Sequence, residues 1–277
     1  QTCALPIWKD RKLRHATIEG YRSVISSVCR LQGIPVGSDA SLNKLLRSFQ
    51  IKDISSPAVF PKWDLCLVLN SLNRPPYEPI GGAPLKFLAY KTCFLIAFAT
   101  AARVSEIHAI DFSSITFSQD NKEVTFRAIP EFVAKNQNAA AGPLGARVYR
   151  LPALPERIGH EKAKLLCPLR VLKQYIKKTD EFRRGRRRLF LSCKTNASTE
   201  ISKNTIASWL RKIITFAYQD CDQETVSRKF SPHEIRALAS SLSVWKTVSV
   251  EQLVSACQWK GSNTFIKCYL REIGRAH

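Results

Sequence analysis

Apolar side chains recur along this chain with two different periods, and the changes of period mark its elements. Ile18, Tyr21, Val24, Ile25 and Val28 fall at helical spacing and predict a helix with one apolar face. Leu42, Leu45, Leu46 and Phe49 predict a second helix, with Ser38 or Ser41 as its cap. Gly33-Ile34-Pro35-Val36-Gly37-Ser38 breaks the two apart. The segment from Ser55-Ser56-Pro57 to Pro61 is the best linker in the chain. Trp63 to Leu69 is helical in pattern again and ends at Asn73-Arg74-Pro75-Pro76. Pro84 opens a further helix carrying Leu85, Leu88, Phe94, Leu95, Ile96 and Phe98. The chain then bends, and Arg103 opens the helix-like stretch Ala101 to Ile107.

Between residues 112 and 152 the period shortens. Ile115, Phe117, Val124, Phe126 and Ile129 predict short strands about a turn at Asp120-Asn121, and Val148 and Leu151 close another strand. Helical spacing returns over Cys167 to Lys178, Ser202 to Tyr218, Pro232 to Trp245 and Val250 to Gln258. There is no internal repeat.

Composition narrows the reading. The 277 residues are 45% hydrophobic, enough for one large domain or two smaller ones. Lys and Arg number 43 against 22 Asp and Glu, a formal charge of +21. Such a surplus favours a polyanionic partner, of which nucleic acid is the commonest, although a ribosome-like or merely basic protein carries the same charge. The run Arg183-Arg184-Gly185-Arg186-Arg187-Arg188 has three readings: phosphate contact, nuclear import or a solvated loop. Nine scattered cysteines without a C-x-x-C pair fit reduced thiols in an intracellular protein. Cys257 and Cys268 read as small buried hydrophobes. The longest apolar run, Cys93 to Ala102, is too short to cross a bilayer and predicts a core helix, so no membrane partner is expected. Residues 1–7 and 272–277 are what sequencing-library adapters would encode, and both ends are expected to be artefacts of that kind.

One constellation carries chemistry. Arg103 is followed by His233 and Arg236 as His-x-x-Arg, then by Trp259 and Tyr269. Transfer of a phosphodiester to a tyrosine needs an in-line nucleophile, neutral equatorial oxygens, an acid for the leaving 5′ oxygen, and positioning. Arginine suits the second need, because its planar fork grips two phosphate oxygens and keeps its charge. Preorganised cations of this kind contribute on the order of 3 kcal/mol each, and enough of them make a metal ion unnecessary. Taken alone, an arginine before Val-Ser-Glu on a helix is usually a surface ion pair. His233 and Arg236 stand at i and i+3, so one helical face presents both, with Ser231 as cap and Pro232 in the first turn. An imidazole at His233 would relay or accept the tyrosine proton. Trp259 can donate its indole N–H to a phosphate oxygen but cannot carry a proton away; an ordinary core tryptophan is the alternative.

This order and spacing resemble the tyrosine recombinases, the phage-integrase superfamily. The likeness is closest to the branch carried by retrotransposons of the DIRS and Ngaro type. It runs from about residue 10 to residue 271. Thr100 to Ile107 is similar to the segment around the family's first catalytic arginine, with Ala101 in place of the usual glycine. Ala237 stands where the family often has a second histidine, and Trp259 where many relatives carry one. Gln258 to Leu270 resembles the closing motif, and Lys62 to Ile110 resembles the retrotransposon branch, including Trp63-Asp64-Leu65 and Pro75-Pro76-Tyr77-Glu78-Pro79.

The resemblance implies a mainly α catalytic domain with a small antiparallel β-sheet (α+β) over residues 56–271, preceded by a truncated helical core-binding (SAM-like) domain over 8–55. It implies a catalytic set of Arg103, Lys135, His233, Arg236, Trp259 and Tyr269, with Tyr269 as nucleophile and Glu106 buttressing Arg103. Lys135 would be the β-hairpin lysine that protonates the leaving 5′ oxygen, with Lys122 in the preceding turn as the alternative. No cofactor and no metal are implied. The expected partner is double-stranded DNA, bound by a homo-tetramer in the recombination synapse and by a monomer when free. The expected location is intracellular, and the nucleus in a eukaryote. Two rivals stand beside this reading: a catalytically inactive DNA-binding relative, and a basic nucleic-acid-binding protein that was never an enzyme.

Overall fold

In the computed structural model the described residues are 13, 15–52, 63–134, 148–154, 164–193, 199–219, 230–246, 248–257 and 261–270. The two suspected foreign ends, Lys135 and Trp259 therefore lie outside the described residues. The chain divides into two compact units, Gln1–Pro57 and Ala58–His277.

The first unit holds α1 (His15–Leu31) and α2 (Ala40–Lys52). Gly33, with φ +76°, makes the left-handed turn between them that a side chain would resist. Neither serine caps α2: the Asp39 carboxylate accepts from the Leu42 N–H at 2.7 Å, while Ser38 Oγ donates to Pro35 O. Ile18 and Leu46 form a small core with Leu13, Leu42, Leu45 and Phe49 packed around it. The predicted apolar face of α1 is buried only at Ile18. Tyr21, Val24, Ile25 and Val28 are exposed, because the contact with α2 is too small to cover the whole stripe.

The second unit is built around α4 (Leu85–Thr100), buried on every side from Leu88 to Ala97. A helix apolar all round belongs at the centre of its domain. It touches α6 (Pro168–Thr179), α7 (Lys203–Ala217) and α8 (Pro232–Trp245). The other helices among the described residues are α3 (Leu65–Leu72), α5 (Val104–His108), α9 (Val250–Ala256) and α10 (Ser262–Cys268). Asp64 caps α3 by accepting from the N–H groups of Cys66 and Leu67 at 2.7 and 3.3 Å.

Three strands, β1 (Thr116–Phe117), β2 (Glu123–Phe126) and β3 (Tyr149–Pro152), form an antiparallel sheet in that order. Val124 pairs with Leu151 and Phe126 with Tyr149, which puts all four side chains on the buried face. Asn121 turns β1 into β2 with φ +56°. Ile115 and Ile129 fall outside the strands; Ile115 caps a short 3₁₀ turn, Phe112–Ser114. The chain is thus mainly α with a small antiparallel sheet, as the resemblance implies.

Among the described residues, buried charge gathers around Glu78 and, separately, at Arg183. Lys91 on α4 is fully buried and donates to Glu78 Oε1 at 2.6 Å and to the Leu72 carbonyl at 2.8 Å. Arg170 on α6 grips both oxygens of the same carboxylate at 2.8 and 3.1 Å. The second cluster overturns a uniform reading of the arginine run. Arg183 is buried, donating to the carbonyls of Arg188 and Leu189 and to the Thr179 hydroxyl at 2.9–3.0 Å. Its guanidinium lies 3.7 Å from the centre of the Phe112 ring. Arg187 pairs with Glu131 at 2.8 Å and Arg188 with Glu200 at 3.0 Å. A hexapeptide with phosphate-contact, nuclear-import and solvated-loop readings is partly a structural tie, because turn carbonyls need donors once they are buried.

Candidate active site

The site begins where α4 ends. Ala101 closes that helix in the left-handed conformation, with φ 48° and ψ 32°, and turns the chain so that Arg103 becomes the N-cap of α5. Glu106, in the first turn of α5, reaches back. One carboxylate oxygen accepts the Arg103 backbone N–H at 2.7 Å and the other accepts the Arg103 guanidinium at 2.8 Å. Glu106 is only 3% exposed and Arg103 14%, so the pair is not a surface ion pair.

Arg236 comes to the same carboxylate from α8. Ser231 caps that helix, accepting from the His233 N–H at 3.3 Å, and Pro232 occupies its first turn. The Arg236 side chain is 2% exposed. It donates to the Ala101 carbonyl at 2.7 Å, to the Cys257 carbonyl at 3.1 Å, and to Glu106 at 3.5 Å. Burial lowers its pKa from the ordinary guanidinium value, Cys257 and Glu106 counter that, and Arg103 adds to the lowering. Two guanidiniums thus share one carboxylate, leaving an excess positive charge in a largely desolvated pocket, where charge acts strongly.

Tyr269 ends α10, and its N–H donates to Phe265 O at 2.8 Å. Its carbonyl accepts from Ser241 Oγ of α8 at 3.1 Å. The half-buried ring stands 5.4 Å from the Arg236 guanidinium carbon and packs on a small cluster of Ala101, Ala239, Leu253, Cys257 and Phe265. This cluster joins α8, α9 and α10 to the end of α4, and so ties the tyrosine to the arginines.

Of the residues expected from the sequence, Arg103, Arg236 and Tyr269 converge, with Glu106 between the arginines. His233 is exposed, one helical turn before Arg236. Lys122, the alternative lysine, is exposed in the turn between β1 and β2, 3.8 Å from Asp120. The carbonyls of Ala101 and Cys257 escaped sequence reasoning, because a backbone acceptor leaves no mark on residue type. The one available hint was the glycine expected where Ala101 stands. Among the described residues no group of His, Cys, Asp and Glu side chains could hold a metal ion. No described helix is long and apolar enough to cross a membrane.

No protein-family model and no curated protein matches this sequence. Solved structures do. A XerH site-specific recombinase bound to difH substrate aligns with 75% of this chain and 49% of its own, at 16% identity and TM-score 0.50. A lambda integrase dimer bound to a COC′ core site aligns with 100% of this chain and 80% of its own, at 14% identity and TM-score 0.54. The Tn1549 transposon integrase in complex with circular intermediate DNA aligns with 96% and 78%, at 12% identity and TM-score 0.54. The fold is that of tyrosine recombinase catalytic domains. The chain spans about half the length of the XerH structures it matches.

Proposed function

We propose that this chain is a fragment of a site-specific DNA recombinase, or integrase, that cleaves and rejoins duplex DNA through a 3′-phosphotyrosyl link. The observation that carries the reading is the Glu106 carboxylate held between Arg103 and Arg236, with the Tyr269 ring against Arg236. The two guanidiniums grip the non-bridging phosphate oxygens and stabilise the charge that develops as the nucleophile arrives. The Tyr269 hydroxyl gives up its proton, which His233 accepts or relays, and its oxygen bonds to phosphorus. The bond from phosphorus to the 5′ oxygen breaks, and Lys135 supplies the proton that makes the leaving group a 5′-hydroxyl. Trp259 donates to a phosphate oxygen. A 5′-hydroxyl from a partner strand reverses the step, so the bond energy is retained without ATP or a metal.

Duplex DNA is the proposed partner, in keeping with the charge of +21 and with neighbours solved on DNA. A homo-tetramer is proposed for the synapse; lambda integrase has been solved as a tetramer on a Holliday junction. The resemblance over Lys62 to Ile110 supports an origin in a DIRS- or Ngaro-type retrotransposon, with integration of a DNA copy as the role and the nucleus as the location. The proposed domains are a partial core-binding domain over 8–55 and a catalytic domain over 56–271.

A catalytically inactive DNA-binding relative is the second reading. It is favoured by the engagement of Arg236 with protein acceptors, the Ala101 and Cys257 carbonyls. One assay separates the two. The chain is incubated with nicked duplexes bearing candidate element ends, and products are resolved under denaturing conditions. A covalent protein–DNA band that vanishes in Tyr269→Phe supports the recombinase. Salt-dependent binding without a band on any duplex supports the inactive relative.

A further inference from the structure

Apart from the arginines and Tyr269, an open groove of about 760 Å³ lies between the N-terminal half of α4 and the C-terminal half of α7. We propose that this groove docks an acidic peptide segment of a partner protein, one that carries an apolar anchor residue among its carboxylates. The inference does not depend on the chemistry at Tyr269.

Charge selects the sign of the occupant. Lys86, Arg211 and Lys212 stand exposed along the groove, and among the described residues none of the three forms an ion pair. Three cations around a carbon-rich cleft, unpaired among the described residues, focus a positive potential into it.

The aromatic lining selects a peptide over a nucleobase. The Tyr77 ring meets Phe87 at 5.5 Å and 85°, and Phe216 at 5.9 Å and 88°. The Lys86 ammonium sits 5.2 Å over the Phe87 ring. Edge-on packing among these rings, with an ammonium over Phe87, makes the lining a broken carbon surface and not one flat stacking platform. A base needs a bare ring face on which to stack. An apolar side chain needs only carbon surface to cover, and the groove provides it. At the groove floor the Tyr77 hydroxyl is buried and has no hydrogen-bond partner among the described residues. Burial pushes this phenol above its ordinary range, so it stays an O–H donor. A peptide brings a carbonyl acceptor with every residue.

The test uses the whole chain and a fluorescein-labelled peptide, Ac-EELFEE, with binding read by anisotropy at physiological salt. The double variant Arg211→Glu/Lys212→Glu changes two exposed side chains and should weaken binding roughly tenfold, about 1.4 kcal/mol. The control Lys44→Glu/Arg47→Glu makes the same charge change on α2, also at exposed positions, and should weaken it less than about twofold. Replacing Leu-Phe in the peptide by Ser-Ser should cost about tenfold as well. Equal losses in the two protein variants would mean general attraction to a basic protein, and would overturn the proposal. So would indifference to the Leu-Phe anchor. An oligo-dT that displaces the peptide, and itself loses affinity in Arg211→Glu/Lys212→Glu but not in the control, would make the groove a nucleic-acid site instead.

Discussion

The Arg236 guanidinium carbon lies 5.4 Å from the centre of the Tyr269 ring, although 33 positions separate the two residues in the chain. The contact does two things. It holds the ring against a cation, and it keeps the tyrosine beside the group proposed to grip the phosphate.

Tyr269→Phe retains the ring and its contact with Arg236 and loses only the hydroxyl. Duplex binding and thermal stability should stay nearly unchanged, with stability within about 0.5 kcal/mol of the parent. Covalent adducts should disappear. Arg236→Lys keeps the charge but loses the fork, so cleavage should fall by roughly 10²-fold or more while binding at a given salt changes little. Single-turnover cleavage and binding titrations on one duplex separate the effects; equal losses in both would reduce Arg236 to a simple phosphate contact.

Ala101 adopts φ 48° in a buried position while its carbonyl holds Arg236. Relief of left-handed strain, about 1–2 kcal/mol, opposes the glycine entropy cost of about 0.5–1 and the loss of a buried methyl worth about 0.8. Ala101→Gly should therefore be close to neutral. Ala101→Val adds a branched side chain to the same backbone and should cost about 2 kcal/mol or more. Urea unfolding of both variants checks the contrast, and a strongly destabilised glycine variant would refute the left-handed assignment.

Glu78 gives stability a dependence on pH. Burial opposes its ionisation, but the hydrogen bonds from Arg170 and Lys91 outweigh that and hold its pKa below the ordinary glutamate value of 4.5. A carboxyl whose folded pKa lies below its unfolded one contributes stability that is present above the unfolded value. That stability is lost as pH falls through the folded value. The loss should therefore begin near pH 4.5 and deepen below it. Glu78→Gln should remove this part of the pH slope. At neutral pH it should cost about 3–5 kcal/mol, because Lys91 is left buried without its counter-charge. Urea unfolding of both proteins from pH 3 to pH 7 measures the difference, and parallel curves would mean that Glu78 does not carry the slope.

The arginine run should behave as two kinds of residue. Arg183→Ala removes donors from two buried carbonyls and a hydroxyl, and should cost about 2–4 kcal/mol. Arg184, exposed at the turn, should change stability by less than about 0.5 kcal/mol when replaced by alanine. If binding to a phosphate polyanion falls in Arg184→Ala while its melting point holds, the exposed part of the run is a phosphate contact. Similar destabilisation by the two substitutions would contradict the structure.

The sequence by itself determined the elements whose residues answer to local physics. A period of 3.6 or 2 places one face of each helix or strand toward a core, and Ser231-Pro232 starts α8 wherever that helix lies. For the same reason Arg103 could be read as the start of α5 and Asp120-Asn121 as a turn. Even locally the reading slipped where three short polar side chains competed. Asp39, rather than Ser38 or Ser41, reached the free N–H groups of α2. Tertiary structure alone decided what each charged group faces. Nothing in the run from Arg183 to Arg188 distinguishes the buried arginine from the exposed one, because burial depends on carbonyls that the turn folds back. Nor does the spacing of Arg103, Arg236 and Tyr269 reveal that one carboxylate, Glu106, and two backbone carbonyls hold the arginines beside the tyrosine. Those partners lie more than 100 positions apart in the case of Ala101 and Arg236. Packing of α8, α9 and α10 on the end of α4 brings them within hydrogen-bond reach, and a buried guanidinium must then take whatever acceptors that packing provides.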